Sequence, residues 1–138
     1  MPDGKSFVDS NVVLYALGND LKKKFIAATL LAARPTVSTQ VLAETTHIAR
    51  RKMGFSVEQV QNALASFRSD VEICVITEAV FDDSLSIGLQ YGYSTYDSLI
   101  LAAALASSCD TLYSEDMQHG QIIRNKLTII NPFKILLA

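Results

Sequence analysis

Tryptophan is absent from this 138-residue sequence, and cysteine, proline and glycine are scarce, with two, three and six residues respectively. The two cysteines, Cys74 and Cys109, form no Cys-x-x-Cys pair, which excludes a disulfide framework and a cysteine-rich zinc site. We expect both to be free, buried thiols in a reducing compartment. The low proline and glycine content, beside 49% hydrophobic residues, excludes a collagen-like, low-complexity or disordered chain.

Long apolar runs and a surplus of positive charge are missing as well. The longest apolar run, residues 99–106, falls far short of the ~20 residues that a membrane-spanning helix needs, and the N-terminus has no apolar stretch of signal-peptide length. The net charge of −2, from 12 basic and 14 acidic residues, excludes a generic basic clamp for nucleic acid. The sequence therefore predicts a soluble cytoplasmic protein with no membrane partner, in which any nucleic acid binds a local patch.

The length predicts a single domain over residues 1–138, because domains commonly contain ~100–150 residues. Within it, short β-like runs alternate with helical stretches. Strands are predicted at residues 6–9, 36–38, 71–76, 111–114 and 127–130, and helices at 11–17, 20–33, 39–52, 56–68, 78–90 and 97–107. Strands separated by helices indicate βαβ crossovers, and hence an α/β fold with a mainly parallel sheet.

Acidic residues recur where these predicted strands end. Asp9 closes the first strand, Glu115 and Asp116 follow the strand 111–114, and Asp97 opens a helix. Active sites of parallel sheets lie outside the carboxyl ends of the strands, so these residues are candidates for one site. Each also has a local interpretation, because Asp9 can cap a helix, Asp97 can complete a capping box with Ser94, and Asp116 can form an Asx-turn.

A fourth carboxylate lies on the predicted helix 39–52. Gln40, Glu44, His47 and Arg51 form one polar stripe along this helix, at spacings of four, three and four residues. The stripe is either a solvated face or the wall of a cleft.

A cluster of such carboxylates has its own chemistry. Two unit charges 4 Å apart repel by ~4 kcal/mol even at an effective dielectric of 20, so packed carboxylates take up protons or bind a cation. An all-oxygen ligand set suits Mg²⁺ or Mn²⁺ rather than Zn²⁺. A divalent cation held in this way lowers the pKa of a bound water and binds phosphoryl oxygens, as phosphate hydrolysis requires.

Four motifs resemble those of PIN-domain ribonucleases, most closely the VapC-like toxins of toxin–antitoxin modules. In chain order they are F-V-D-S-N-V (7–12), S-T-Q-V-L-A-E (38–44), Y-D-S-L-I-L-A-A-A (96–104) and L-Y-S-E-D-M-Q-H-G (112–120). The resemblance spans nearly the whole chain and implies a PIN-like three-layer α/β/α sandwich. It also implies an endoribonuclease that depends on Mg²⁺ or Mn²⁺ and hydrolyses RNA phosphodiester bonds.

The resemblance assigns roles by position. Asp9, Glu44, Asp97 and Asp116 look like the acidic tetrad, of which the three aspartates would bind metal and Glu44 would act through water or hold a second metal. In supporting roles, Asn11 would orient Asp9 or a metal-bound water, and Ser114 would hydrogen-bond within the site. Glu115 is one residue before Asp116, and adjacent residues of an extended chain face opposite ways, so only one of the two would face the cluster.

RNA contacts are predicted beside these motifs. Arg50 and Arg51 end the Glu44 helix, where they would suit the backbone phosphates that flank the cut, and Arg51 continues the polar stripe. Tyr93 and Tyr96 flank the start of the Asp97 helix and are candidates for stacking on bases, with packing as the alternative. The two histidines, His47 and His119, are interpreted as bystanders, with substrate contacts as the alternative.

Partners follow from the resemblance alone. It implies a cognate antitoxin, docked on the helices between residues 21 and 68, and a homodimer. The apolar run 135–138 needs cover from the core or from a partner. Alternative interpretations are a PIN nuclease of RNA maturation, a catalytically silent RNA-binding module, and an aspartyl-nucleophile phosphatase, although Asn11 stands where that last class carries a second aspartate.

Overall fold

The computed structural model describes residues 4–136, in which six short strands form one sheet and seven helices surround it. The strands are β1 (Ser6–Val8), β2 (Thr36–Ser38), β3 (Glu72–Cys74), β4 (Thr111–Tyr113), β5 (Ile122–Ile123) and β6 (Leu127–Ile130). The helices are α1 (Ser10–Leu17), α2 (Leu21–Ala32), α3 (Thr39–Lys52), α4 (Val57–Arg68), α5 (Glu78–Tyr91), α6 (Thr95–Ala106) and α7 (Pro132–Leu136).

The order of the strands determines the layers. The sheet runs β3-β2-β1-β4-β6-β5, and every neighbouring pair is parallel except β5 with β6. From β1 the chain moves outward through β2 to β3, then returns to β4 on the other side of β1. Because parallel crossovers are right-handed, this reversal puts α1–α4 on one face of the sheet and α5 and α6 on the other. The predicted three-layer α/β/α fold with a mainly parallel sheet is confirmed.

The carboxyl ends of β1 and β4 meet where the strand order reverses. Val8 lies opposite Tyr113 in the parallel register, and the Asp9 N–H donates to the Tyr113 carbonyl at 3.0 Å. Ligand sites of open parallel sheets lie at such a switch point. The residues that follow these two strands therefore share one crevice.

A buried core holds these strand ends in place. Phe7, Val8 and Leu112 are fully buried. Residues 100–104 of α6 are buried as well, as the alanine- and leucine-rich sequence of that helix predicts. Each large apolar side chain removed from water in this way contributes roughly 1.5–3 kcal/mol.

Helix termini follow the local sequence signals closely. The bounds of α3 are those predicted, and the capping box of α4 is present: Ser56 Oγ accepts the Gln59 N–H at 3.1 Å, and Gln59 Oε1 accepts the Ser56 N–H at 2.8 Å. Helix α5 ends at Gly92, whose φ of 78° lies in the left-handed region that glycine tolerates.

The predicted buried strand 71–76 is shorter and lies at the edge of the sheet, where β3 pairs only with β2. Glu72 is exposed, and Ile73 and Cys74 are half-buried. The prediction of burial was wrong because a run of β-branched residues indicates that a segment suits a β-sheet, but not whether it forms a central or an edge strand. Consequently only Cys109 is a buried free thiol, and Cys74 is a partly exposed one.

Strand β6 has the bounds predicted, 127–130, but β5 and the hairpin that joins the two strands were not predicted. Arg124 and Asn125 form its turn with φ of 51° and 56°, and such turns are usually recognised by glycine. Here side-chain contacts hold the turn instead: Arg124 Nη1 donates to both carboxylate oxygens of Asp83 at 2.9 and 3.0 Å, and its backbone N–H donates to the Tyr91 hydroxyl at 2.8 Å.

Helix α7 was not predicted either. It contains part of the apolar run 135–138, of which Ile135 is 51% exposed. The side chains of 136–138 lie outside the described residues. Over residues 4–136, every helix is too short or too polar to cross a membrane.

Candidate functional site

Asp9 is the buried carboxylate at the centre of the crevice. It follows β1 directly, caps α1 and is only 4% exposed. Its Oδ1 accepts the Ser10 N–H at 2.7 Å, and its Oδ2 accepts the Ser114 hydroxyl at 2.9 Å. Asp9 therefore caps helix α1 and also lies in the crevice, so its local role and its place among the candidate site residues are compatible.

Asn11 connects the first and fourth sequence motifs. Its Nδ2 lies 3.2 Å from Asp9 Oδ2, 3.1 Å from Asp116 Oδ2 and 3.4 Å from Ser114 Oγ. Its Oδ1 accepts the Glu115 N–H at 3.0 Å. Because the oxygen has a donor and the nitrogen has acceptors, the network determines the orientation of the amide. One amide thus holds two carboxylates at the same crevice.

Ser114 is a fully buried hydroxyl between β4 and Asp116. Its Oγ donates to Asp9 and accepts the Asp116 N–H at 3.4 Å. The β4 strand therefore sets the positions of both aspartates through one side chain.

Glu44 and Asp97 enter the crevice from α3 and α6, and both are half-buried. Gln40, one turn before Glu44, donates through Nε2 to Glu44 Oε1 at 3.3 Å and to the Tyr96 carbonyl at 3.1 Å. Gln40 therefore ties α3 to the first turn of α6. Its Oε1 is buried and has no hydrogen-bond partner among the described residues.

The pKa values of Asp9, Glu44 and Asp97 are all raised above their ordinary values. Burial, together with the charges of Glu44 and Asp97, raises the pKa of Asp9 to about 6. Burial raises the pKa of Glu44, with a further contribution from Asp97, and burial and the charge of Asp116 raise the pKa of Asp97. The four carboxylates therefore repel one another across the crevice, and folding places them there at a cost in free energy.

The donor set fits a hard divalent cation. In residues 4–136, no group of three or more histidine, cysteine, aspartate or glutamate side chains is arranged so that it could hold a metal ion by itself. Mg²⁺ nevertheless retains several waters and takes only one or two carboxylates directly, so an open, all-oxygen crevice suits it. The unbalanced negative charge at this crevice favours such an ion.

Comparison with known proteins identifies the family. The family profile described as "PIN domain" matches residues 6–123, which is most of the chain. This chain belongs to the PIN domain family. A search of curated proteins finds no match.

Solved structures share the PIN fold with it at low identity. The toxin VapC20 of Mycobacterium tuberculosis, described as cleaving the Sarcin-Ricin loop, is 19% identical with a TM-score of 0.65, over 81% of this chain and 90% of that one. A toxin–antitoxin complex from Klebsiella pneumoniae is 17% identical with a TM-score of 0.71, over 93% and 98%. VapBC2 from Rickettsia felis, bound to promoter DNA, is 23% identical with a TM-score of 0.64, over 90% and 96%.

Glu115 of this PIN domain faces away from the crevice. Lys23 Nζ pairs with Glu115 Oε2 at 2.8 Å, and the Tyr15 hydroxyl donates to Glu115 Oε1 at 2.7 Å. The same ammonium lies 4.5 Å from the centre of the Tyr15 ring and 5.1 Å from that of Phe133. The resemblance favours Asp116 over Glu115 as the acid that faces the cluster, and the contacts of the two side chains agree with it.

The residues predicted to contact RNA have different surroundings. Arg50 and Arg51 are exposed at the end of α3, and Tyr96 is 65% exposed beside Glu44. Tyr93 is half-buried, with its hydroxyl donating to Gln121. A packing role is therefore favoured for Tyr93, and the roles of the other three residues stay predictions.

The two histidines have different surroundings. His119 Nδ1 accepts the Asn131 N–H at 2.9 Å, which gives that ring a structural contact. His47 is exposed and lines the surface between Glu44 and the two arginines. The interpretation of both as bystanders accounts for His119 better than for His47.

Proposed function

We propose that this PIN domain is a metal-dependent endoribonuclease and the toxin of a toxin–antitoxin module. One observation carries the proposal: carboxylates from four separate motifs converge on the switch point of the sheet, with Asp9 and Asp116 joined through Asn11. Membership of the PIN domain family and the toxin structures that share its fold support the same reading.

The proposed reaction is hydrolysis of a phosphodiester bond by in-line attack of water. Asp9, Asp97 and Asp116 would hold Mg²⁺ or Mn²⁺, one or two of them directly and the rest through water, and Glu44 would act through water or hold a second metal. The cation, when bound, neutralises phosphoryl charge and lowers the pKa of a water. The chain supplies the orientation: Asn11 and Ser114 hold Asp9 and Asp116 in fixed positions, so that little reorganisation is needed when substrate binds.

An antitoxin partner is proposed for the helices between residues 21 and 68. Leu21 and Phe25 lie one turn apart on α2 and are 78% and 74% exposed, and Val57 on α4 is 51% exposed. Exposed apolar side chains one turn apart on a helix, as Leu21 and Phe25 are, are typical of interaction surfaces. The toxin–antitoxin complexes with the same fold support this partner.

The homodimer stays a prediction. Helix α5 exposes Phe81, Leu85 and Leu89 at spacings of four residues, with Leu89 91% exposed. This stripe is a second apolar surface that a partner would bury.

The test is cleavage of a panel of structured and single-stranded RNAs with Mg²⁺, with Mn²⁺ and with EDTA. We expect cutting that needs the metal and is lost in Asp97→Asn, which keeps the shape of the side chain and removes its charge. Thermal melts and circular dichroism of both proteins control for folding. Cutting that persists in EDTA, or in Asp97→Asn, would contradict the proposal.

The alternatives give other outcomes of the same assay. A silent RNA-binding module binds the panel without cutting it, with or without metal. A nuclease of RNA maturation cuts RNA in this assay as a toxin does. A separate growth assay distinguishes the two, because expression of a maturation nuclease leaves cell growth unaffected.

A further inference from the structure

Two cavities lie side by side along α3, beyond the carboxylates. The smaller, about 420 Å³, is lined by Glu44, His47 and Tyr96 among others. The larger, about 650 Å³, is lined by His47, Arg50 and Arg51 among others. Because Ala43 and His47 line both, the two cavities are adjacent along α3, and we call the pair the α3 groove.

The α3 groove starts at the carboxylates and ends at the arginines. Glu44, His47 and Arg51 are three and four residues apart, so they share one face of the helix. With a rise of 1.5 Å per residue, Arg51 lies about 10 Å along the helix axis from Glu44. The groove thus leads away from the crevice over a distance of a few nucleotides.

The charge at the far end of the groove is not neutralised within the protein. Over residues 4–136, the ion pairs formed are those of Lys5, Lys23 and Arg124, and neither Arg50 nor Arg51 has a carboxylate within 4 Å. Both guanidinium groups are therefore available to an anionic ligand.

A purely structural account explains only part of this pattern. Arg50, Arg51 and Lys52 all lie in the last turn of α3, where cations stabilise the helix dipole. That effect does not distinguish the three, yet the groove is lined by the two arginines and not by Lys52. The guanidinium group also suits phosphate better than an ammonium does, because it donates two parallel hydrogen bonds.

Aromatic side chains stand at both ends of the groove. Tyr96 lines the smaller cavity and is 65% exposed, and Phe55 lines the larger one. Exposed rings beside cationic groups are typical of surfaces that bind single-stranded nucleic acid, where bases stack on the rings.

We propose that the α3 groove binds the single-stranded RNA that flanks the cleaved bond on one side. Arg50 and Arg51 contact its phosphates, Tyr96 stacks on a base next to the carboxylates, and His47 contacts the backbone between them. The proposal rests on the proposed nuclease function, and it makes His47 a substrate contact rather than a bystander.

The test measures RNA binding without cleavage. Fluorescence anisotropy follows an unstructured 12-nucleotide RNA, labelled at its 5′ end, with all proteins in the Asp97→Asn background and with Mg²⁺ present, from low to high salt. Arg50→Ala/Arg51→Ala should reduce the slope of log K against log salt by about 1.4, since each phosphate contact on a single strand contributes ~0.7. The same contacts correspond to affinity roughly 25-fold lower at 0.1 M salt.

A matched control removes the same charge elsewhere. Lys22 and Lys24 are exposed on α2, so Lys22→Ala/Lys24→Ala changes the net charge equally, and we expect affinity within about twofold of the parent. For stacking, Tyr96→Ala should weaken binding and Tyr96→Phe should restore it, because the ring and not the hydroxyl stacks. An equal loss in the lysine control would overturn the proposal, because net charge alone would then explain the effect.

The outcome also separates this proposal from the nuclease function. If the Asp97-intact protein cuts RNA, and the arginine variant keeps its KM and salt slope, the nuclease stands and the groove is overturned. If no RNA is cut, but the arginine variant alone loses binding, the groove stands and the nuclease fails. Absence of RNA binding by every protein overturns the groove.

Discussion

Glu115 and Asp116 are neighbours in sequence, and they lie in opposite electrostatic environments. Glu115 has an ammonium at 2.8 Å and a phenol hydroxyl at 2.7 Å, supplied by Lys23 and Tyr15. Asp116 has only the Asn11 amide, and it shares its crevice with three more carboxylates.

The comparison separates a structural acid from candidate functional ones. The Glu115 pair stabilises the loop after β4, and its charge is balanced within the protein. The carboxylates of the crevice are not balanced, and the raised pKa values of Asp9, Glu44 and Asp97 express that cost. Perturbed groups clustered in a crevice are a mark of functional sites.

The largest expected effect comes from exchanging charge for amide at each of the two neighbours. Asp116→Asn should lower RNA cleavage roughly 10²- to 10³-fold, in the range measured for removal of one electrostatic contact from an active site. Glu115→Gln is the matched control, and it should retain activity within about tenfold. Rates are measured under single-turnover conditions at saturating Mg²⁺, with melts to confirm folding. Equal losses of activity in the two variants would show that Glu115 and Asp116 do not differ in their contribution to cleavage.

The second prediction concerns pH without metal. The pKa of Asp9 rises on folding from 3.8 to about 6, so folding favours its protonated form. That stabilisation is complete below pH ~4 and is lost as pH rises through 6, a change of about 3 kcal/mol from Asp9 alone. The free energy of unfolding of the wild type should therefore fall relative to that of Asp9→Asn between pH 4 and 7.5. Urea titrations at four pH values measure it.

Metal addition sharpens the same measurement. At pH 7.5, Mg²⁺ should raise the melting temperature of the wild type and leave that of Asp9→Asn nearly unchanged, because a ligand that binds only the folded state stabilises it. In the urea titrations without metal, free energies of unfolding that change with pH in parallel for the wild type and Asp9→Asn would show that Asp9 is not the group responsible.

The smallest expected effect lies in the balanced region. Lys23→Met, Glu115→Gln and the double variant form a thermodynamic cycle, and we expect a coupling of about 1 kcal/mol, since both side chains are 25% exposed and solvent screens part of the attraction. Chemical denaturation measures it in 0.1 M salt. Zero coupling would mean that Tyr15 alone anchors Glu115.

Local signals in the sequence account for most of the fold. The bounds of α3, the capping box at Ser56 and the helix end at Gly92 depend on contacts within a few residues, so they could be predicted. The hairpin at Arg124 could not, because Asp83 and Tyr91, some 30 to 40 residues away, hold its turn. The edge position of β3 likewise depends on strand order, which no run of residues encodes by itself.

The candidate site divides in the same way. Four acidic motifs and their order are present in the sequence, and the roles assigned to Asp9, Glu44, Asp97 and Asp116 stay predictions until activity is measured. Only the family pattern favoured Asp116 over Glu115, since the contact that turns Glu115 away comes from Lys23, 92 residues earlier in the chain.

By itself, the sequence determined the α/β class, the bounds of α3, the start of α4, the end of α5 and the identity of the acidic residues, because these follow from local pattern and side-chain chemistry. Only the tertiary structure decided that Lys23 and Tyr15 hold Glu115, that Asn11 joins two motifs, and that His47 and the two arginines line one cavity. The physical reason is that charge balance depends on distances of a few ångströms between distant residues, and folding alone sets those distances.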